Sequence, residues 1–135
     1  MKPPEPEIRE FASAWLAKAL VDLLVCDSLI AQNARLWEAV TFHCQQAVEK
    51  ALKVVLVWHQ VEFPKTHDLQ RLLDLLADAD PEVVGRSADA VGLTPYGVEY
   101  RYPGEYPPVD QASALTALEV ARRVYAAAAE RIGRV

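Results

Sequence analysis

Two long stretches of helical periodicity, each apolar on more than one flank, constrain this chain more than any other feature. From Glu7 to about Ala31 apolar residues fall at Ile8, Phe11, Ala12, Trp15, Leu16, Ala19, Leu23, Cys26 and Ile30, and Val21, Val25 and Leu29 widen the stripe. That is the three-and-four spacing of a helix face. "NARLW" breaks the pattern. From about Leu36 to Gln60 a second stripe runs through Leu36, Val40, His43, Cys44, Ala47, Ala51, Val54, Val55 and Trp58, with Val48, Leu52 and Leu56 beside it. A helix apolar on two sides packs on more than one neighbour. Its polar stripe is Gln45, Gln46, Glu49, Lys50 and Lys53, with Glu49 four residues before Lys53 in the favourable order.

The rest of the chain continues in helices. In "VEFPKTHDL" Pro64 stops the second helix and Thr66 is placed to cap a short one from about His67 to Ala77, with Leu69, Leu72, Leu73 and Leu76 inward. Asp80-Pro81 starts another, carrying Val83, Val84, Ala88 and Val91 to near Gly92. Asp110 caps a last long helix to about Arg131 with an apolar line Ala114, Leu118, Ala121, Tyr125, Ala128 and Ile132, and Glu119 within reach of Arg123. Runs of alternating β-branched residues do not occur. The expectation is all-α: an antiparallel up-and-down bundle of three long helices and two short ones, in a single domain over 1–135 with a flexible, Pro-rich lead-in at 1–6.

Charge and composition narrow the function. The chain is 52% hydrophobic and 24% charged, as in ordinary globular proteins, and its formal charge is -5. Long-range attraction to nucleic acid needs a positive face, so RNA binding here requires a local cluster or one assembled across an oligomer. No uncharged apolar run approaches the ~18 residues of a membrane span, and "MKPPEPEIRE" lacks the apolar segment of a signal peptide. The expected location is the cytoplasm. Cys26 and Cys44 sit inside helical patterns and read as free buried thiols.

Familiar catalytic motifs are missing: the sequence holds no Gly-rich phosphate loop, no HExxH and no CxxC, and no metal or cofactor is called for. His43 lies on an apolar stripe, which suits either a histidine bonded to a neighbouring helix or a general base. His67 follows the Thr66 cap as a first-turn polar residue, and His59 at a helix end reads as purely local. Trp15, Trp37 and Trp58 read as packing residues rather than base-stacking platforms. In "YRYPGEYPP" Arg101 stands between Tyr100 and Tyr102, which suits a phosphate or base contact and equally suits a loop tied to helix-end carbonyls.

Several segments together resemble the HEPN domain: "WLAKALVDLLVC", then "FHCQQAVEKALKVVLVWHQVEFPKTHDLQRLL", then "YGVEYRYPGEYP", over about Phe11 to Ala129. The "QQAxEKALK" core followed by "FPxTHDL" carries most of the likeness, and "RYP" is a second match. The resemblance implies a small helical bundle, commonly a symmetric dimer, often encoded beside a separate minimal nucleotidyltransferase in toxin–antitoxin pairs. Many members are metal-independent ribonucleases with an arginine and a histidine separated by four to six intervening residues; others are thought to bind nucleotides.

This chain departs from the ribonuclease pattern. Counted from Arg101, Tyr106, Pro107 and Pro108 stand where the histidine belongs, and His43 follows Arg35 too late. A tyrosine, with its ordinary pKa of about 10, is a poor substitute. The reading is therefore a non-catalytic, dimeric HEPN binding module that acts with a separate nucleotidyltransferase and contacts nucleotide or RNA through Arg101, Tyr102, Tyr100 and His67. The alternative is a metal-independent ribonuclease with a degenerate or shifted site that uses Arg101, either His43 or His67, and Tyr106 as a further candidate. A third is a purely scaffolding bundle.

Overall fold

The computed structural model describes residues 3–104 and 106–133, and at Arg101 the backbone alone. Among the described residues five α-helices form: α1 (Pro6–Ala31), α2 (Trp37–Trp58), α3 (Leu69–Leu76), α4 (Pro81–Ser87) and α5 (Gln111–Arg131). Between α4 and α5 the chain continues as 3₁₀ turns over Ala88–Gly97 and Glu99–Arg101, and no strand occurs among the described residues. The all-helical expectation holds.

The ends follow local chemistry. Pro6 opens α1, where its missing N–H costs nothing. Asn33 and Arg35 take left-handed φ values of 53° and 57° in the turn to α2, and Gln60 does so after α2 at 58°. The cap of α3 is Asp68, not Thr66: its carboxylate accepts from the backbone of Gln70 and Arg71, and the Thr66 hydroxyl accepts from Asp68 N. His67 thereby lies outside the helix. Asp80 caps α4 and Asp110 caps α5 as expected, through Val83 N and Ser113 N. The α4 segment is shorter than its apolar pattern suggests, because beyond Ser87 it tightens to 3₁₀ geometry, which accommodates Pro95.

α2 is the central element. The pairings Trp15 with Lys53, Asp22 with Lys50 and His43, and Cys26 with Val40 set α1 antiparallel to it. α5 runs against α1, since Arg122 pairs with Asp27 near one end while Ile132 and Arg9 border one cleft near the other. From Ala47 to Val57 only Lys50 escapes burial. Gln45, Glu49 and Lys53, which read as a polar stripe, are buried because α3, the 3₁₀ stretch and the loop before α3 cover that side too. Leu36, by contrast, precedes the helix and is exposed. Arg123 pairs with Asp89 of the 3₁₀ stretch rather than with Glu119; a same-helix surface pair is worth only about 0.3–0.5 kcal/mol, so competition by a neighbouring element settles it.

The thiols of Cys26 and Cys44 are free and buried, 3.8 Å apart between α1 and α2. Hydrogen bonding to Cys26 and then burial push the Cys44 thiol far above its ordinary range, so it packs rather than reacts.

His59 is not a local feature. Its Nε2 lies 2.7 Å from Asp80 Oδ2, and Arg131 grips the same carboxylate through Nε at 2.6 Å and a terminal nitrogen at 3.1 Å. One buried carboxylate thus clasps the C-terminal ends of α2 and α5 to the start of α4. Burial opposes its charge, but bonds from His59, Arg131 and Val83 N outweigh burial and hold the carboxyl below its ordinary pKa. The folded chain then binds fewer protons there than the unfolded chain, so the clasp stabilises fully above about pH 4 and weakens as pH falls through the lowered pKa. The melting temperature is expected to drop along this acid limb, and Asp80→Asn to flatten it. Superimposable acid limbs for the two proteins in thermal melts would refute the assignment.

Candidate functional site

Two regions gather the polar and aromatic residues that fold maintenance does not fully account for. The first is built by the 3₁₀ stretch and the Pro-rich segment after it. Tyr96 and Tyr100 lie four residues apart, and their ring centroids are 4.9 Å apart. Tyr106 returns against Tyr100 at 4.7 Å. Tyr100, Tyr102 and Tyr106, with Pro103, Gly104 and Glu38 from the first turn of α2, enclose a cleft of about 280 Å³. Tyr102 is largely exposed at its rim. Tyr96 stands on the other side of this ladder, bordering a second cleft of about 460 Å³ between the 3₁₀ stretch and α5. Burial, together with Tyr100 and Asp110, pushes the Tyr96 hydroxyl upward, so it stays a neutral donor.

Of the residues singled out in the sequence, Tyr100, Tyr102 and Tyr106 meet here. The Arg101 backbone closes the 3₁₀ turn between two of them, while its side chain lies outside the described residues. Tyr96 and Glu38 were not anticipated. Tyr96 was legible as the residue four before Tyr100; Glu38 was not, because only the packing of α2 against the segment brings it in.

The second region is the polar face of α2. Asp22 of α1, 4% exposed, receives His43 Nδ1 at 2.8 Å and Lys50 Nζ at 2.7 Å. Glu49, equally buried, receives His67 Nδ1 at 2.7 Å and Lys53 Nζ at 3.0 Å. The two groups repeat one design: a buried carboxylate between a histidine and a lysine, with the imidazole Nε2 bonded to nothing among the described residues. His43 therefore does bond a neighbouring helix, and His67 serves α2 rather than a first turn. Lys53 also lies 5.4 Å over the Trp15 ring and 5.7 Å over Phe63. Among the described residues no three His, Cys, Asp or Glu side chains gather in a metal-holding arrangement.

Gln45 joins the two regions. Fully buried, its Nε2 donates to Glu49 Oε1 and to the His67 carbonyl, both at 3.3 Å, and its Oε1 accepts from Gln46 at 2.7 Å. Against its amide lies Gly97, the last residue of the first 3₁₀ segment; a Cβ there would stand 2.7 Å from Gln45 Cδ. The absence of a side chain lets the backbone close on the network and positions Tyr96 and Tyr100 on either side.

A family model described as the HEPN domain matches residues 12–132. The chain belongs to the HEPN domain family. Comparison with curated proteins and with solved structures finds no match to either.

Gly97→Ala is expected to displace Gln45 and to lower stability by about 1–3 kcal/mol, the cost of overpacking a filled interior. Gly92→Ala, with nothing within 4 Å of its added Cβ, is the control. Urea denaturation compares them, and equal midpoints would contradict the close approach.

Proposed function

We propose that this chain is a non-catalytic HEPN binding module, dimeric and cytoplasmic, which acts with a separate minimal nucleotidyltransferase and binds nucleotide or single-stranded RNA at the tyrosine cleft. The observation that carries the reading is the ladder of Tyr96, Tyr100 and Tyr106 beside an open cleft rimmed by the exposed Tyr102. Aromatic rings with a free face take up bases by stacking, which requires no base-specific bonds. The chain's net charge of -5 and Glu38 at the cleft make stacking, not long-range attraction, the main contribution there. Arg101, next to two of the rings in sequence, supplies the phosphate contact.

The dimer rests on α1. The surplus apolar residues of α2 are absorbed by the core, whereas Leu20, Val21 and Leu24 on α1 stay exposed. Among the described residues no helix is long and apolar enough to cross a membrane.

Fluorescence anisotropy with a short labelled oligouridylate tests the cleft. Tyr102→Ala, which removes the exposed ring at the rim, is expected to weaken binding by about tenfold, as for loss of one stacking platform; undiminished binding would defeat the reading. Light scattering at tens of micromolar is expected to give twice the monomer mass, with Leu24→Glu monomeric.

A ribonuclease is the second reading, favoured by one observation: His43 and His67 are each oriented through Nδ1 by a buried carboxylate, which leaves Nε2 for proton transfer. Metal-independent RNA cleavage abolished by His43→Gln and by Arg101→Ala would replace the first reading with this one.

A further inference from the structure

On the α1 side of the α2 polar face, away from the tyrosines, lies a trough of about 400 Å³ lined by Phe11, Ala14, Trp15, Lys18 and Lys50. Its walls are apolar and aromatic. Phe11 is 57% exposed, an unusual setting for phenylalanine, and meets Trp15 edge-on at 6.5 Å. Trp15 meets Phe63 in the same manner on its far side. The indole Nε1 of Trp15 is buried and bonds no acceptor among the described residues.

The polar members of the trough are both cations. Lys50 is held in place by Asp22, whose other oxygen is engaged by His43. Lys18 forms no ion pair among the described residues and is exposed. A third ammonium, Lys53, stands over the Trp15 ring but is matched by Glu49. Asp22 and Glu49 are thus already committed, and Lys18 is left as uncompensated positive charge beside an aromatic surface. A ligand with an anionic head is thereby oriented, head toward Lys18 and Lys50, body toward Phe11 and Trp15.

We propose that this trough binds an amphipathic anion: a flat apolar group resting on Phe11 and Trp15, with a carboxylate or phosphate monoester on Lys18 and Lys50. The site is separate from the tyrosine cleft. Along α1 it adjoins the strip proposed for dimer contact, Lys18 standing three residues, about 4.5 Å of helical rise, before Val21.

Calorimetric titration of the full chain with naphthoate and with the neutral naphthalenemethanol tests it. Naphthoate is expected to bind saturably and about fivefold or more tighter than the alcohol, the increment of a partly exposed charge contact. Lys18→Glu, at an exposed position whose folding is checked by circular dichroism, is expected to erase that preference. Phe11→Ser is expected to weaken both probes, and Tyr102→Ala to change neither, so a failure at the tyrosine cleft leaves this result standing. A parallel comparison of AMP with adenosine identifies the head group. Where naphthoate is preferred, an added preference for AMP that Lys18→Glu removes extends the head group to a phosphate monoester; a preference shown by naphthoate alone assigns a carboxylate. Equal affinity for naphthoate and the alcohol, a preference that survives Lys18→Glu, or no saturable binding of naphthoate overturns the proposal.

Discussion

Glu49 is the residue on which the arrangement of this protein most depends. It is a carboxylate on a helix that is covered on nearly every side, and a charge so placed is tolerated only when its oxygens are matched. Lys53 matches one oxygen from the same helix; His67 and Gln45 match the other. His67 belongs to the loop before α3, so satisfying Glu49 pins that loop on α2. Gln45 in turn accepts the approach of Gly97, which brings the 3₁₀ stretch down on the same face. Removing one partner strands a buried charge, a loss of about 3–5 kcal/mol in comparable networks. The loop before α3 and the 3₁₀ segment are therefore held by polar matching as much as by apolar burial.

That organisation divides the surface into parts of different chemistry. The tyrosine ladder sits where the 3₁₀ stretch ends, beside carboxylates, and offers ring faces. The trough between α1 and α2 offers aromatic surface and lysines. In both, rigid neighbours fix the side chains: Tyr100 between two other rings, Lys50 on Asp22. Preorganisation of this kind lets a shallow site bind without a large ordering cost. The two carboxylate–histidine–lysine groups lie between these regions and stiffen the face that separates them.

The helices themselves were readable because local signals agreed: periodicity, Pro6 and Pro81 at first positions, Asp80 and Asp110 as caps. The departures have specific causes. Thr66 and Asp68 were both plausible caps, and the choice fell to Asp68 because Leu69 must enter the core while His67 reaches Glu49. His59 read as local since its partner Asp80 is far along the chain, and no spacing rule links them. The polar stripe of α2 read as a solvated face; its burial depended on a covering loop whose path no periodicity encodes. The tyrosines of "YRYPGEYPP" were identified, but their stacking partner Tyr96 and the cleft wall Glu38 came from separate elements.

By itself the sequence determined the helical class, the apolar faces, most helix starts and, through the "QQAxEKALK", "FPxTHDL" and "RYP" segments, the family. These are properties of neighbours within a few residues, where backbone hydrogen bonding and side-chain spacing act. Tertiary structure alone decided which charges would be buried, which carboxylate each histidine would meet, and that Lys18 would be left unmatched beside Phe11 and Trp15. Those outcomes turn on side chains distant in sequence being brought within about 3 Å, the range at which a hydrogen bond forms or fails.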